Sequence, residues 1–355
     1  MKPIYDPALT YEQNYAEGPF GAFADPQVTV THEGAPLQRF FGLPVWQTFG
    51  IPAGPLLNER FTTAAFRAGF DICVYKTVRS SAYPCNPFPN ILSVKVDGAL
   101  TPDKLSSPLL ADAHYDQPLS ISNSFGVPSQ DPDIWQPDMA EAVRRAGDGQ
   151  VLVGSFQGTR RESTTVGDSY IQDHVRCARM VVETGAPVLE LNLSCPNEGT
   201  AQLLCFDTPR VRNIVAAVKE AVGNIPLVLK LAYFSDQQAL ENLISQTSEF
   251  ADGYAAINTI PARLVDAQGN QALPGEGRAV SGVCGAAVTW AGLDMTARLA
   301  HIRDELERDF TIVGVGGVDS PQKYHAFRDA GADAVMSATG AMWNPLLAQE
   351  IAGIA

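Results

Sequence analysis

The sequence predicts an α/β chain folded as a (β/α)8 TIM barrel, with an N-terminal arm and long loop insertions at the C-terminal face. Three observations carry this prediction. Eight short apolar runs, rich in Val, Ile and Leu, recur along the chain: FGIPAG (49–54), DICVYKTV (71–78), VLVGSF (151–156), VLELNLSC (188–195), PLVLKLA (226–232), GYAAINTI (253–260), FTIVGVGG (310–317) and DAVMSAT (333–339). Several are almost continuously apolar, as suits strands of a parallel sheet buried on both faces. Segments of helical period separate them, which is the alternation of an α/β fold. The rival is an open doubly wound sheet, and no Gly-x-Gly-x-x-Gly opens the first unit to support it.

Taken in order, residues 1–44 read as a polar, Pro- and Gly-containing arm of weak periodicity, expected to pack on the body or on a partner chain. Residues 45–355 read as one barrel domain, a length that single α/β barrels reach. Helices are expected over 58–70, 166–184, 208–222, 235–250, 288–309 and 320–330. Caps support several of them, as at Asp319-Ser320-Pro321 and Ala330-Gly331. Two stretches are too long for plain connections. Residues 79–149 are Pro-rich and carry a strand-like run, LSISNSFGV (119–127); residues 261–285 are Gly-rich and polar. Loops of this length in a compact domain are usually functional.

Composition narrows the function. The chain has 355 residues, with 25 Lys+Arg against 39 Asp+Glu, a net charge of −14. So acidic a chain is a poor partner for nucleic acid or an anionic membrane. No apolar run reaches the ~18 residues of a membrane span. Met1–Tyr15 has a single lysine and no apolar centre, so no signal peptide is expected. The six cysteines form no Cys-x-x-Cys pair, and the five histidines add no zinc-ligand spacing. A reduced, cytoplasmic protein without a metal site is expected.

In a barrel, loops after the strand C-termini build the active site. The run ends carry Lys76-Thr77, Asn192, Ser194-Cys195-Pro196-Asn197, Lys230, Asn258-Thr259, Gly316-Gly317 and Ala338-Thr339. A lysine late in an apolar strand is unfavourable unless it faces an anion or a polar cavity, or runs its stem past the sheet end. Two in one mouth would make a site for negative charge. Gly316-Gly317, Ala338-Thr339-Gly340, and Gly282 and Gly285 in SGVCG allow backbone amides to approach a ligand closely, and loops after strands seven and eight commonly hold phosphate. A phosphate tail, lysines at the ring end and no dinucleotide fingerprint fit FMN better than NAD. Cys195, between asparagines, could act as general base or nucleophile if its pKa is lowered, or be an inert thiol. Asparagines supply donors and acceptors that suit an imide or amide ring.

The segment LNLSCPN (191–197) resembles the active-site signature of the dihydroorotate dehydrogenases. The resemblance extends through IPAG (51–54), YKTV (75–78), SISNSFGVP (120–128), LKLAY (229–233), INT (257–259), SGVCG (281–285), GVGGV (314–318) and SATGA (337–341), in the same order and spacing. It implies an FMN-binding α/β barrel that oxidises dihydroorotate to orotate in pyrimidine biosynthesis. By this resemblance Cys195 is the base, as in soluble class 1 members, and Lys76 lies close to flavin and substrate. Asn123, Asn192, Asn197 and Asn258, with Thr259, hold the pyrimidine; the backbone of Phe125-Gly126-Val127 holds its carboxylate. The flavin is held by Ala53, Gly54, Lys76, Thr77, Asn123, Asn192, Lys230 and Asn258 around the ring, and by Gly282, Gly285, Gly316, Gly317, Ala338 and Thr339 around the phosphate.

A homodimer using fumarate is the expected arrangement. Reduction of NAD would need a separate FAD and iron–sulfur subunit, because the chain has neither a dinucleotide fingerprint nor a four-Cys cluster. Quinone is the remaining acceptor. Two alternatives stand beside this reading: an FMN enzyme acting on another dihydropyrimidine, and a flavin-binding protein without catalysis. Reduction of the flavin by dihydroorotate, by another dihydropyrimidine or by neither separates the three.

Overall fold

The computed structural model describes residues 2–160, 168–194 and 203–354. Eight parallel strands close into a barrel in chain order. They are β1 (Phe49–Ile51), β2 (Ile72–Val78), β3 (Val151–Phe156), β4 (Val188–Asn192), β5 (Leu227–Leu231), β6 (Gly253–Ala256), β7 (Thr311–Val315) and β8 (Ala334–Met336). Each falls within one of the eight apolar runs. After each strand the chain returns along the outside through α1 (Glu59–Arg67), α2 (Pro132–Arg145), α3 (Asp168–Glu183), α4 (Thr208–Val222), α5 (Gln237–Thr247), α6 (Thr289–Glu305), α7 (Pro321–Asp329) and α8 (Thr339–Trp343).

Side-chain alternation divides the barrel into two apolar layers. Ile72, Val74, Val151, Val153, Val188, Val228, Ala255, Val313, Val315, Ala334 and Met336 form one cluster, which is the barrel interior. Their strand neighbours, such as Cys73, Tyr75, Leu189, Leu191, Leu229 and Tyr254, join a second cluster under the helices. At the N-terminal end, a hairpin of Gln38–Phe40 and Leu43–Val45 inserts Phe40 and Val45 into the interior cluster and plugs the barrel. The interior turns polar toward the C-terminal end: Lys76, Ser155, Glu190, Asn192 and Lys230 continue the inward-facing rows and all are buried.

The N-terminal residues pack on the body. Ile4, Tyr5, Tyr11 and Phe23 are buried in the outer cluster. Ile4 N donates to Met342 O at 2.9 Å, and Arg67 Nη2 donates to Phe23 O at 2.6 Å. A short helix, Tyr11–Glu17, opens on a Thr10–Gln13 capping box that the weak apolar periodicity concealed. The boundary expected after residue 44 falls inside the hairpin strand Leu43–Val45.

Both long insertions carry structure. Ser93–Val94, Leu109–Asp112 and Ser120–Asn123 follow β2; Ile260–Val265 and Val280–Gly285 follow β6. The five form a small closed sheet over the barrel mouth. The run expected over 253–260 is therefore two strands, β6 and the start of Ile260–Val265. The stretch 261–285, expected as a polar loop, holds a strand pair in which Ile260, Ala262 and Leu264 are buried and Pro261 and Arg263 exposed. Helix α2 lies in the stretch expected as a Pro-rich loop. Asp131 caps it by accepting from Asp133 N at 3.2 Å, Pro132 occupies its first turn, and Pro137 sits inside it. A first-turn proline has no hydrogen bond to lose, and tertiary packing of Trp135, Met139 and Ala142 outweighs the cost of Pro137.

Asp71, just before β2, is buried at the plugged end. Its carboxylate accepts from Gln47 N at 3.0 Å and Gln150 Nε2 at 3.4 Å, and His32 Nε2 lies 3.9 Å away. Burial pushes Asp71 up to about 7, against the smaller downward pull of those two hydrogen bonds. The native state therefore keeps a proton that the unfolded chain has released, so stability falls as pH rises from about 4 to about 7. Asp71→Asn is expected to show a melting temperature that gains on the parent's between pH 4 and pH 8. A gap of equal size at both ends, measured by calorimetry, contradicts this.

Candidate active site

The polar end of the barrel opens into a cavity enclosing about 1050 Å³, part of it open at the mouth. Its walls include Ala53, Gly54, Lys76, Thr77, Asn123, Phe125, Gly126, Val127, Asn192, Lys230, Asn258, Thr259, Ala338 and Thr339, so most of the residues expected from the sequence converge on one space. Successive strand residues ordinarily face opposite ways, yet Lys76 and Thr77 both line it. The register explains this: Tyr75 pairs with Gly154, but Val78 pairs with Phe156, so β2 carries an extra residue at this bulge.

Lys230 is 4% exposed, and its Nζ donates to Ala53 O at 3.2 Å. Lys76, 7% exposed, is fixed through its backbone N, which donates to Leu56 O at 2.9 Å. Asn192 Oδ1 accepts from Ser194 N at 3.2 Å and Ser194 Oγ at 3.0 Å. Asn258 Nδ2 donates to Ser194 O at 3.1 Å. These two asparagines pin the end of β4 against the cavity wall. The Gln157 amide lies 2.9 Å from Asn192 Nδ2 and 2.7 Å from the Arg79 guanidinium. Cys195 and Asn197 lie outside the described residues.

Two arginines hold the outer wall. Arg79 Nε donates to Val127 O at 3.0 Å and Nη1 to Thr159 Oγ1 at 3.1 Å. It steadies Val127, a β-branched residue at φ +53°, a strained left-handed conformation. Arg278 is buried without a carboxylate among its described partners. Its guanidinium donates to Ser124 Oγ at 3.0 Å, Pro87 O at 2.6 Å, Pro89 O and Ser124 O at 3.0 Å each, and Pro274 O. One side chain thus staples both insertions together behind Asn123 and Phe125. Nothing in a lone arginine within a polar stretch marked it for this role.

Further lining residues were not anticipated. Tyr5 comes from the N-terminal segment and sits edge-on to Phe125, ring centres 5.5 Å apart. Cys284 lines the cavity too; burial pushes its thiol up to about 11, opposed by a hydrogen bond from Thr339 and the charge of Lys230. A thiol so raised stays protonated near neutrality and serves here as a packing group. Ile91, Ile121, Ile257, Val315 and Met342 complete the apolar surface.

A second cavity shares Thr339 and is lined by Gly285, Ala286, Gly317 and Gly340 with Gln117, Asp319 and Trp343. Gly282 and Gly316 are not among the residues lining these two cavities. A Cβ on Gly282 would stand 2.3 Å from Thr259 Oγ1, so that glycine permits close strand packing. FMN fits this pair of spaces. A Cβ on Gly54, at φ +145°, would meet nothing within 4 Å, so the backbone there faces open room for a flat ring. A Cβ on Gly317, at φ +65°, would stand 2.4 Å from Gly285 O, so only a bare main-chain turn fits there, of the kind that wraps an anion.

The fold and site define a (β/α)8 barrel enzyme whose mouth suits a planar cofactor with an anionic tail. The family model described as "Dihydroorotate dehydrogenase" matches residues 113–353. A dihydroorotate dehydrogenase of Dictyostelium discoideum is 32% identical over 98% of this chain and 96% of its own length. A dihydroorotate dehydrogenase (quinone) of Clavibacter sepedonicus is 26% identical over 88% and 83%. In fold, the chain is similar to dihydroorotate dehydrogenase from Eimeria tenella solved with ferulenol, with a TM-score of 0.68 and 17% identity over 93% of this chain and 84% of that one. The chain belongs to the dihydroorotate dehydrogenase family, whose members are FMN-dependent oxidoreductases of pyrimidine biosynthesis.

Arg278→Ala strips the stapled carbonyls of a charged donor. It is expected to cost about 2–4 kcal/mol in urea unfolding and to leave far-UV dichroism nearly unchanged. Stability within about 0.5 kcal/mol of the parent contradicts the staple.

Proposed function

We propose that this chain catalyses dihydroorotate oxidation with Cys195 as the base, in the manner of the soluble class 1 enzymes. The observation that supports it best is the convergence of Lys76, Asn192, Lys230 and Asn258 on one cavity, with Ser194, the residue before Cys195, tied by its carbonyl to Asn258. When bound, FMN supplies the acceptor for the hydride leaving C6 of the substrate. The residues of the chain do the rest. Asn123, Asn192, Asn197 and Asn258, with Thr259, hydrogen-bond the pyrimidine ring, whose amide and imide groups need both donors and acceptors. The backbone around Gly126 and Val127 receives the carboxylate, and Lys76 offers it positive charge. Cys195 Sγ takes the C5 proton. A free thiol of pKa ~8.5 is only partly ionised near neutrality, so this reading requires surroundings that favour the thiolate or a proton transfer concerted with hydride departure.

Lys230 would lie beside the ring of a bound FMN and stabilise negative charge there, an arrangement of preorganised electrostatic stabilisation. Gly285, Gly317, Ala338 and Thr339 would hold the phosphate. In this reading the protein works in the cytoplasm as a homodimer and passes electrons to fumarate. Its mass in light scattering should then be about twice 38.0 kDa. A monomer at micromolar concentration contradicts the dimer.

Anaerobic addition of dihydroorotate should bleach the flavin band near ~450 nm within the mixing time of a titration. In Cys195→Ala the band should persist, with bleaching slowed by about 10²-fold or more. Bleaching at the parent rate rules out Cys195 as base. A flavin that ignores dihydroorotate and is reduced by dihydrouracil transfers the assignment to another dihydropyrimidine.

A further inference from the structure

A buried carboxylate beneath the cofactor cavity has no part in the chemistry described so far. Glu190 lies on β4, is 2% exposed and faces the barrel interior, two residues below Asn192. Its Oε1 accepts from Ser155 Oγ at 2.9 Å, and Ser155 Oγ is 2.9 Å from Thr77 Oγ1. Thr77 is itself part of the cavity wall. A hydrogen-bonded chain therefore runs from the cavity wall across β2 and β3 to Glu190. On the other side, Glu190 pairs in register with Val228, and Lys230 pairs with Asn192 one inward position above. Along a strand, two residues span ~7 Å.

The surroundings explain why this charge matters. Below Glu190 the barrel is filled by Val74, Val153 and Val188, and beside it stands Val228, all apolar. A carboxylate in such a place is costly unless opposite charge compensates it. Lys76 and Lys230 are the cations on the inward faces of the strands around it. Charges so enclosed are screened far less than charges in water.

We propose that the Glu190 carboxylate, through its charge, tunes the reduction potential of the cofactor, holding it lower than the two lysines alone would. Two-electron reduction brings negative charge into the cavity. Lys76 and Lys230 favour that change, and the Glu190 carboxylate opposes it. The hydrogen bond to Ser155 fixes where the charge sits and orients Thr77. The proposal rests on FMN occupying the cavity.

The test is the two-electron midpoint potential of the purified flavoprotein, measured by anaerobic reductive titration against a reference dye. Glu190→Gln removes the charge at constant shape and should raise the reduced-to-oxidised ratio at fixed potential about tenfold, a rise of ~30 mV for a two-electron couple. Glu190→Leu, a second neutral variant, should move it the same way. Glu190→Asp keeps the charge and should stay near the parent. Ser155→Ala keeps the charge but breaks the chain to Thr77; it should weaken FMN retention and leave the potential close to the parent's. An unchanged potential in the neutral variants overturns the proposal. So does an equal rise in Glu190→Asp or Ser155→Ala, which would make the effect one of packing. A parent protein with no flavin band refutes the cofactor assignment instead, and is thereby told apart.

Discussion

Everything at the functional end of this protein depends on bringing Lys76 and Lys230 inside a closed parallel barrel. An ammonium group in an apolar interior loses several kcal/mol of solvation, and the fold must return most of it. It does so by grading the interior along the barrel axis. Val and Ile fill the plugged end, Ser155 and Glu190 form a polar step, and Asn192 and the two lysines stand at the mouth. The grading follows from strand geometry. Each inward row rises by two residues at a time, so Val74 leads to Lys76, Val153 to Ser155, and Val228 to Lys230.

The second requirement is a wall that excludes water from those charges. Neither insertion could provide it alone, since each contributes only two or three short strands, too few for an independent sheet. Paired with each other they close. Arg278 then joins them through carbonyl oxygens rather than carboxylates. That choice avoids adding another buried negative charge beside the cavity. The N-terminal segment contributes the remaining cover. Tyr5 packs against Phe125 and reaches the cavity, and Ile4 is bound to the backbone at Met342.

Arg79 illustrates how the wall and the barrel act together. Its guanidinium connects Val127 in the strained turn, Thr159 after β3 and the Gln157 amide beside Asn192. A turn held against its conformational preference needs such overdetermination. The same contacts link the turn at Val127 to the asparagine that holds the end of β4.

The eight strands, most helices and the position of the mouth were legible in the sequence, because each depends on local information. Val- and Ile-rich runs need no partner to be recognised, and a lysine at the end of such a run is conspicuous by its cost. Boundaries were less legible. The run over 253–260 concealed a change of sheet after Ala256, and helix α2 was hidden by Pro132 and Pro137, whose compatibility with a helix depends on position and packing. Only the tertiary structure decided which distant residues share the cavity. Tyr5, Cys284 and Arg278 carry no local signal, and Glu190 within VLELN is, in sequence, an ordinary strand residue. Its importance arises from the inward face of β4 and from Ser155 on the neighbouring strand, a pairing that exists only once the barrel has closed.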